Sequence, residues 1–199
     1  MQEAFIGTYL KLFEDTPAHD PILFIDAVHP TMATKIRCGW IKKGVDKPIA
    51  TTASRTRVNI IGAIEPDTMT VTSEFVETVN ADAISSFFAK LKASYPQAEK
   101  LHIILDQSGY HRSHAVKEAA LSHHIELHYQ PPYSPNLNPI ERLWKVMNEQ
   151  VRNNVVFESA KAFREQLSLF FSVTIPKIKC SLSTRINDNF QTLNTVSSS

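Results

Sequence analysis

Three acidic residues in this sequence stand at positions from which their carboxylates could converge. Asp26 follows the apolar run ILFI, Asp106 follows LHIIL, and Glu141 lies at the start of a helical pattern after a proline-rich connector. Apolar runs of this kind are typical of buried strands, and open α/β sheets bind ligands at the carboxyl ends of such strands. Carboxylates that converge without lysine or arginine partners repel one another unless a cation lies between them. The three residues therefore predict a metal site.

The ligand atoms indicate which metal this would be. Oxygen-only ligation favours magnesium, with manganese substituting, and two such ions about 3.5–4 Å apart form the clamp that supports in-line displacement at a phosphodiester. Zinc is less favoured, because His123, His124 and His128 span a helix end and a strand and lack zinc-ligand spacing. We predict that these histidines lie on the surface or behind the metal ligands.

Each carboxylate also has a purely structural interpretation. An aspartate at a strand end commonly serves as a turn residue. Glu141 could simply help to start a helix, with Asn138 as N-cap, Pro139 at the first helical position and Glu141 at the third. The connector favours more than a cap, because four of the nine residues from 131 to 139 are proline. Such stiffness predicts that Glu141 must arrive at a fixed place.

The predicted elements form a scaffold on which these residues could meet. Apolar spacing predicts a helix over residues 4–14, strands in ILFIDAVHP, KIRCGWIKKG and RVNIIGAIEP, and a further short strand in MTVTSEFV. Helices and strands then alternate through VNADAISSFFAKLKASYP, LHIILDQSG, HRSHAVKEAALSHH, IELHY and PIERLWKVMNEQVRNN. The order β-β-β-α-β-α-β-α predicts an α/β fold of the ribonuclease H-like type, with a mixed five-stranded sheet flanked by helices.

The same spacing predicts which residues face the core and how the chain is divided. The predicted inward residues are Phe5, Ile6, Tyr9, Leu10 and Phe13 in the first helix, Ile84, Phe87, Phe88 and Leu91 in the second, and Ile140, Leu143, Trp144, Met147 and Val151 in the last. We expect an N-terminal helix and linker over residues 1–20, a catalytic domain over 21–172 and a partly irregular C-terminal extension over 173–199.

Composition limits the class of protein. The 199 residues are 43% hydrophobic and 21% charged, which suits one globular domain with a sizeable core. Cys38 and Cys180 form no C-x-x-C pair, so neither a disulfide framework nor a cysteine zinc site is predicted. No apolar run reaches the ~18 residues of a membrane span, and the N-terminus has no basic region typical of a signal peptide. We expect a cytoplasmic protein without a membrane partner.

A basic segment interrupts the near-neutral charge of the chain, whose formal net charge is +1. Residues 35–57 carry seven basic side chains against one acid, Asp46. They are Lys35, Arg37, Lys42, Lys43, Lys47, Arg55 and Arg57. The segment is either an exposed hairpin whose lysines protect its edges or a stripe that binds phosphates.

The motifs IDAVHP, LDQSGYHRS and PPYSPNLNPIERLW, with 34 residues between Asp106 and Glu141, resemble the catalytic domain of the DDE transposases. The branch is that of the bacterial insertion sequences in the mariner superfamily, and the resemblance covers roughly residues 24–154. It implies that Asp26, Asp106 and Glu141 form a catalytic triad that binds two divalent cations. It also implies cleavage of double-stranded DNA at element ends, strand transfer to target DNA, usually at a TA step, and a homodimer on the DNA in the bacterial cytoplasm, associated with the nucleoid.

Two departures from the family pattern matter. Many relatives follow the second aspartate with asparagine, whereas this chain has Gln107, whose longer amide could still reach a ligand or phosphate. Relatives also carry N-terminal helix-turn-helix modules, whereas this chain starts about twenty residues before its first strand. We therefore expect a separate DNA-binding half, and weak DNA binding with little sequence preference by the chain alone.

Further residues near the motifs have two interpretations each. His111 either lies near the scissile phosphate or faces solvent at a helix start. Lys145 and Asn148 follow Glu141 on one helical face and either border the DNA or are simply solvated. The tryptophans at positions 40 and 144 are predicted to be core or interface aromatics rather than base-stacking residues.

Two other functions remain open at this point. A plain ribonuclease H-like nuclease would cleave DNA without joining it. A catalytically silent remnant would bind DNA, or pair with a full-length transposase and inhibit it. For an active triad we expect each alanine substitution to abolish strand transfer with the fold intact, and the melting temperature in metal-free buffer to hold or rise.

Overall fold

A computed structural model describes residues 1–40, 42–44 and 48–190 of the chain. The elements are α1 (Gln2–Asp15), β1 (Ile22–Val28), β2 (Asn59–Glu65), β3 (Thr70–Val76), α2 (Ala81–Ser94), β4 (Leu101–Leu105), α3 (His114–Ser122), β5 (Ile125–Tyr129), α4 (Ile140–Met147), α5 (Ala160–Leu169) and α6 (Ile175–Leu182). A 3-10 turn covers Pro135–Leu137, and π-helical turns cover Asn148–Arg152 and Phe170–Thr174. None of the helices in these described ranges is long and apolar enough to cross a membrane.

The strands form one five-stranded sheet in the order β3-β2-β1-β4-β5. Strands β1, β2 and β3 are joined antiparallel, whereas β1–β4 and β4–β5 are parallel pairs. Parallel neighbours need a crossover, and α2 and α3 provide it. The predicted fold class, a mixed five-stranded sheet flanked by helices, is confirmed.

The two central strands carry the apolar runs that mark them in the sequence. In β1 the residues from Ile22 to Ile25 are buried, and all five residues of β4 are buried. Alternation sends Phe24 toward α4, α5 and α6 and sends Leu23 toward α2 on the other face. Because β1 and β4 are parallel neighbours, their carboxyl ends lie at the same edge of the sheet.

The helices bury the predicted faces to different extents. The predicted inward residues of α2 are all buried, as are those of α4 and the turn after it. In α1 the prediction is only partly right, because Tyr9 is 3% exposed whereas Leu10 is 53% and Phe13 48% exposed. Tyr9 packs against Phe24 of β1 and Phe190 of the C-terminal segment, so α1 contacts the core along a narrow line.

One predicted strand is wrong. The described residues of KIRCGWIKKG, 35–40 and 42–44, form no strand; Lys35 makes a single bridge with Asn153. Both edges of β1 are taken by β2 and β4, and the outer edge of β2 is taken by β3, so this segment has no adjacent strand edge to join. The third strand of the meander is β3, from the segment MTVTSEFV.

The C-terminal segment contributes to the core as far as it is described. Ile175 and Leu182 of α6 are buried, and Ile186 beyond it is fully buried. Tyr9 donates a hydrogen bond from its hydroxyl to Asp188 Oδ2 at 2.7 Å, which ties α1 to this segment. The division at residues 20 and 172 stays a prediction, and the predicted frayed end TVSSS lies outside the described residues.

Candidate active site

Asp26 is held by a tryptophan that is distant in the sequence. Trp144 of α4 donates from Nε1 to Asp26 Oδ2 at 2.9 Å. The indole ring lies directly over Gly62, the β2 residue paired with Asp26 in the sheet. A Cβ at Gly62 would overlap Trp144 Cη2 and would lie 3.1 Å from Cζ2. Glycine is thus required at position 62 by this close approach.

The environment of Asp26 opposes ionisation. Burial, together with the charges of Glu141 and Asp106, raises the pKa of Asp26 to about 6, although the hydrogen bond from Trp144 acts in the opposite direction. Repulsion from the other two carboxylates shows that all three groups share one electrostatic environment. A bound cation would reverse this cost.

Asp106, directly after β4, has the opposite environment. Its carboxylate accepts hydrogen bonds from Ser108 N at 3.0 Å, Ser108 Oγ at 2.8 Å and His111 Nδ1 at 2.6 Å. The His111 hydrogen bond is the main reason that the pKa of Asp106 falls to about 2, and partial burial acts in the opposite direction. Asp106 is therefore an ionised, firmly oriented carboxylate.

His111 is buried, with 1% of its surface exposed, so the interpretation of a solvent-facing residue is wrong. Its backbone carbonyl accepts a hydrogen bond from the Tyr129 hydroxyl at 3.0 Å, which fixes the turn that carries it. Nε2 is buried and has no hydrogen-bond partner within the described part of the chain. Because an ionised carboxylate can only accept, the proton of the hydrogen bond to Asp106 lies on His111 Nδ1.

The proline-rich connector is fixed by a buried glutamine as well as by its prolines. Gln130 donates from its backbone N to Leu105 O and from Nε2 to Leu137 O, both at 2.9 Å. Gln107 donates from Nε2 to Gln130 O, also at 2.9 Å. The side-chain amide nitrogen of Gln107 thus secures the start of the connector.

The end of the connector is fastened to the strand that carries Asp26. Asn138 donates from Nδ2 to Ile25 O at 3.4 Å, and its Oδ1 accepts from Ile140 N at 3.3 Å. Helix α4 therefore begins beside the first aspartate. This contact gives the stiffness of the connector a physical purpose, because it sets the position of Glu141 relative to Asp26.

Within the described part of the chain, Glu141 makes no capping-box hydrogen bond. Pro139, directly before Ile140, already has helical φ and ψ, and Asn138 is extended and accepts from Ile140 N through Oδ1. No hydrogen bond reaches its carboxylate from any group in the described residues, which leaves the carboxylate available to the cavity. Burial raises the pKa of Glu141, and the positive charge of Lys145 lowers it in part.

The three carboxylates line one open cavity of about 550 Å³, together with Gln107 and Arg112. Across the described ranges, no lysine or arginine nitrogen lies within 4.0 Å of these carboxylates; the close partner of Asp106 is His111. Oxygen donors without basic partners fit magnesium or manganese.

Comparison with known proteins agrees with this geometry. A family profile described as "DDE superfamily endonuclease" matches residues 21–164, the segment that contains all three carboxylates. This chain belongs to the DDE superfamily endonucleases. The 39 kDa protein of insertion element IS630 from Shigella sonnei is 26% identical over 145 residues, which are 72% of this chain and 42% of that protein. Protein y4pE/y4sA of Sinorhizobium fredii is 30% identical over 79 residues, 40% of this chain and 56% of that protein.

Solved structures show the same fold for this DDE endonuclease. The mariner Mos1 paired end complex with Mg matches with a TM-score of 0.70 at 16% identity over 93% of this chain and 58% of that one. The catalytic domain of Mos1 mariner transposase matches with a TM-score of 0.63 at 14% identity over 93% of this chain and 86% of that one. This chain spans less than half the length of the IS630 protein.

Some of the predicted DNA-binding residues of this DDE endonuclease come together and others do not. Lys35, Arg37 and Lys145 line a second cavity of about 400 Å³ beside α4. Four further residues of the set, Lys42, Lys43, Arg55 and Arg57, are exposed but do not line this cavity. The predicted basic residue Lys47 lies outside the described residues.

The sequence analysis missed Arg152. Its guanidinium donates to Thr31 O at 3.0 Å and to Asn148 Oδ1 at 2.6 Å, so it is held close to Lys35. Burial lowers the pKa of Lys35, and so do the nearby charges of Arg152 and Arg37. Lys35, Arg37 and Arg152 therefore concentrate positive charge, which favours an anion. The position of Arg152 four residues after Asn148, on the same helical face, was the signal in the sequence that could have indicated this site.

The two tryptophans differ sharply. Trp144 is buried and orients Asp26, a role that its sequence position did not reveal. Trp40 is fully exposed, so the interpretation of a core residue is wrong for it. An interface role for Trp40 stays a prediction.

Proposed function

We propose that this chain is the catalytic domain of a transposase, which cleaves DNA at element ends and joins the freed 3′-hydroxyl to target DNA. One observation carries the proposal: three carboxylates line a single cavity at the carboxyl edge of a ribonuclease H-like sheet in a member of the DDE endonuclease family. That edge is where open α/β sheets bind their ligands. The carboxylates lie on three separate elements, which is the arrangement expected of a functional site.

The residues have distinct parts in this proposal. Asp26, Asp106 and Glu141 would hold two magnesium or manganese ions, which when bound supply charge stabilisation at the attacking and leaving oxygens of the phosphodiester. Trp144 orients Asp26, His111 and Ser108 orient Asp106, and the connector orients Glu141. Solved Mos1 structures are described as paired end complexes with Mg and with Mn, which supports divalent metal use.

Binding of the DNA backbone falls to the basic cavity beside α4. Lys145 lies one helical turn after Glu141, or about 6 Å along the axis, so phosphates next to the reacting one would reach it. Lys35, Arg37 and Arg152 extend the positive surface away from the carboxylates. Mos1 structures described as a strand transfer complex and a pre-cleavage transpososome support a DNA substrate.

The partners follow from the same proposal. We infer that two copies act together on paired DNA ends, and that a helix-turn-helix region supplies recognition of the end sequence. The bacterial relatives support a cytoplasmic setting, with association to the nucleoid when DNA is bound.

A strand-transfer assay with pre-cut element ends tests the function. We expect joined products in magnesium or manganese, and none in calcium, whose longer bonds and looser geometry suit a tight two-ion displacement poorly. Cleavage without joining would identify a nuclease, and DNA binding without either reaction would identify an inactive partner. Full activity in excess chelator would refute metal dependence.

A further inference from the structure

A second group of metal-type side chains lies on β4 and β5, apart from the three carboxylates. His102, Glu126 and His128 each offer a ligand atom, and these atoms lie within 4.8 Å of one another. His102 Nδ1 is 3.1 Å from His128 Nε2. Glu126 places Oε1 3.8 Å from His128 Nε2 and Oε2 4.0 Å from His102 Nδ1.

The sheet register is what brings these residues together. His102 pairs with Glu126, and His128 follows two residues later opposite Ile104. Side chains two residues apart on a strand share a face, so all three groups project from the same side of the parallel pair. Their neighbours Ile103 and Leu127 pack into the apolar cluster on the opposite side.

We propose that His102, Glu126 and His128 bind a divalent transition metal, with zinc as the favoured ion. A tetrahedral zinc with bonds of about 2.0–2.2 Å separates its ligand atoms by about 3.4 Å. The two histidine nitrogens, 3.1 Å apart, are near that separation, and each lies 3.8 or 4.0 Å from one of the two oxygens of Glu126. Two histidines with one carboxylate leave the fourth position of a tetrahedral zinc for water.

Burial and charge fit a metal that enters from solvent. The side chain of His102 is 8% exposed, that of His128 20% and that of Glu126 47%. Lys100 Nζ lies 2.9 Å from Glu126 Oε2 and competes with the metal for that carboxylate.

This site is separate from the proposed catalytic one and does a different job. His102 lies four residues before Asp106 on the chain and His128 is paired with Ile104, two residues before Asp106, so the group lies about 7–13 Å from Asp106 along the strand direction. A metal here would clamp the edge strand β5 to β4, and so stabilise the pairing on which the connector depends. The role of this metal would be structural rather than catalytic.

Titration of the purified chain with zinc and with cobalt(II) tests the site. We expect one zinc bound per chain, a higher melting temperature with zinc than with chelator, and intense visible absorption of the cobalt(II) form, which marks tetrahedral rather than octahedral oxygen ligation. His128→Gln and Glu126→Gln should each weaken binding at least tenfold. His114→Gln, which alters an exposed histidine of α3 outside the group, should leave the affinity unchanged.

Two more variants sharpen the outcome. Lys100→Gln should tighten zinc binding severalfold, because it removes the competing ammonium. His102 is largely buried, so His102→Gln could disturb the fold. Its zinc affinity is compared with that of the wild type only if the two metal-free circular dichroism spectra match. If they differ, Glu126→Gln, which alters a half-exposed side chain, provides the test. Absent binding at millimolar zinc, or binding unchanged in Glu126→Gln and His128→Gln, would overturn the site and leave a hydrogen-bonded histidine pair. That result would leave the proposed strand-transfer function standing, because strand transfer in magnesium is measured separately.

Discussion

At the scale of single residues, the three carboxylates have different energetic environments, although they are proposed to share one function. Asp26→Asn, Asp106→Asn and Glu141→Gln should each reduce strand transfer at least a thousandfold, because each removes a proposed metal ligand and no core packing. Asp82→Asn and Glu118→Gln alter exposed acids elsewhere and should retain activity. Product formation on pre-cut ends measures this, and near-normal transfer by any one of the three variants would remove that residue from the triad.

Stability in metal-free buffer should separate the same variants. Asp106 accepts three hydrogen bonds, so Asp106→Asn should lower the melting temperature. Relief of charge repulsion alone would instead predict that the melting temperature holds or rises in all three variants. Asn at position 26 and Gln at position 141 should hold or raise it, because burial and repulsion already oppose the charge at those positions. Thermal melts in chelator at pH 7.5 distinguish the two classes, and equal shifts for all three would contradict the described environments.

The raised pKa of Asp26 gives metal-free stability a pH dependence of known sign. The folded pKa is about 6 against an ordinary value of 3.8, so the folded state favours the protonated form. The resulting stabilisation is complete below pH about 4 and is lost as the pH rises through 6, by about 3 kcal/mol for a shift of this size. Denaturant unfolding in chelator should show this loss in wild type and not in Asp26→Asn. A constant difference between the two proteins from pH 4 to 8 would exclude the shift.

At the scale of elements, the contact between β2 and α4 controls the site. Gly62→Ala places a methyl group against the Trp144 ring, and should destabilise the protein by about 1–3 kcal/mol. Displacement of the indole should also break its hydrogen bond to Asp26 and lower strand transfer more than tenfold. Gly7→Ala is the matched control, because nothing lies within 4 Å of an added Cβ there. Unfolding free energies and transfer rates at a temperature where both variants remain folded measure the two effects.

At the scale of the whole molecule, some basic residues, such as Lys35 and Arg37, line the cavity beside α4, whereas others, such as Lys42 and Lys43, do not. Lys35→Ala with Arg37→Ala should flatten the dependence of log affinity on log salt, by roughly 0.9 for each phosphate of duplex DNA that is no longer neutralised. Lys42→Ala with Lys43→Ala removes the same formal charge from exposed positions that do not line the cavity. Binding titrations of both pairs at several salt concentrations compare the two sets. A larger change in the Lys42 and Lys43 pair would place the phosphate-binding side chains in the loop instead.

Much of the molecule follows from local sequence pattern. The apolar runs of β1 and β4 predict strands buried on both faces, and the spacing of Ile84, Phe87 and Leu91 predicts the inner face of α2. Strand and helix signals also predict the fold class. These predictions succeed because hydrophobic periodicity directly reports backbone geometry and the buried face of each element. The role of the three carboxylates stays a prediction. The strand predicted after β1 fails because pairing depends on which edges remain free, and the local residues do not encode that.

What the sequence by itself determined is therefore the set of elements, the family motifs and the candidate ligands Asp26, Asp106 and Glu141. Tertiary structure alone decided how those ligands are supported, since Trp144 reaches Asp26 across 118 positions of the chain. It also decided that His102 meets Glu126 and His128, and that Arg152 joins Lys35. Such contacts depend on strand order, register and helix placement, which are fixed by the packing of the whole core rather than by the spacing of neighbouring residues.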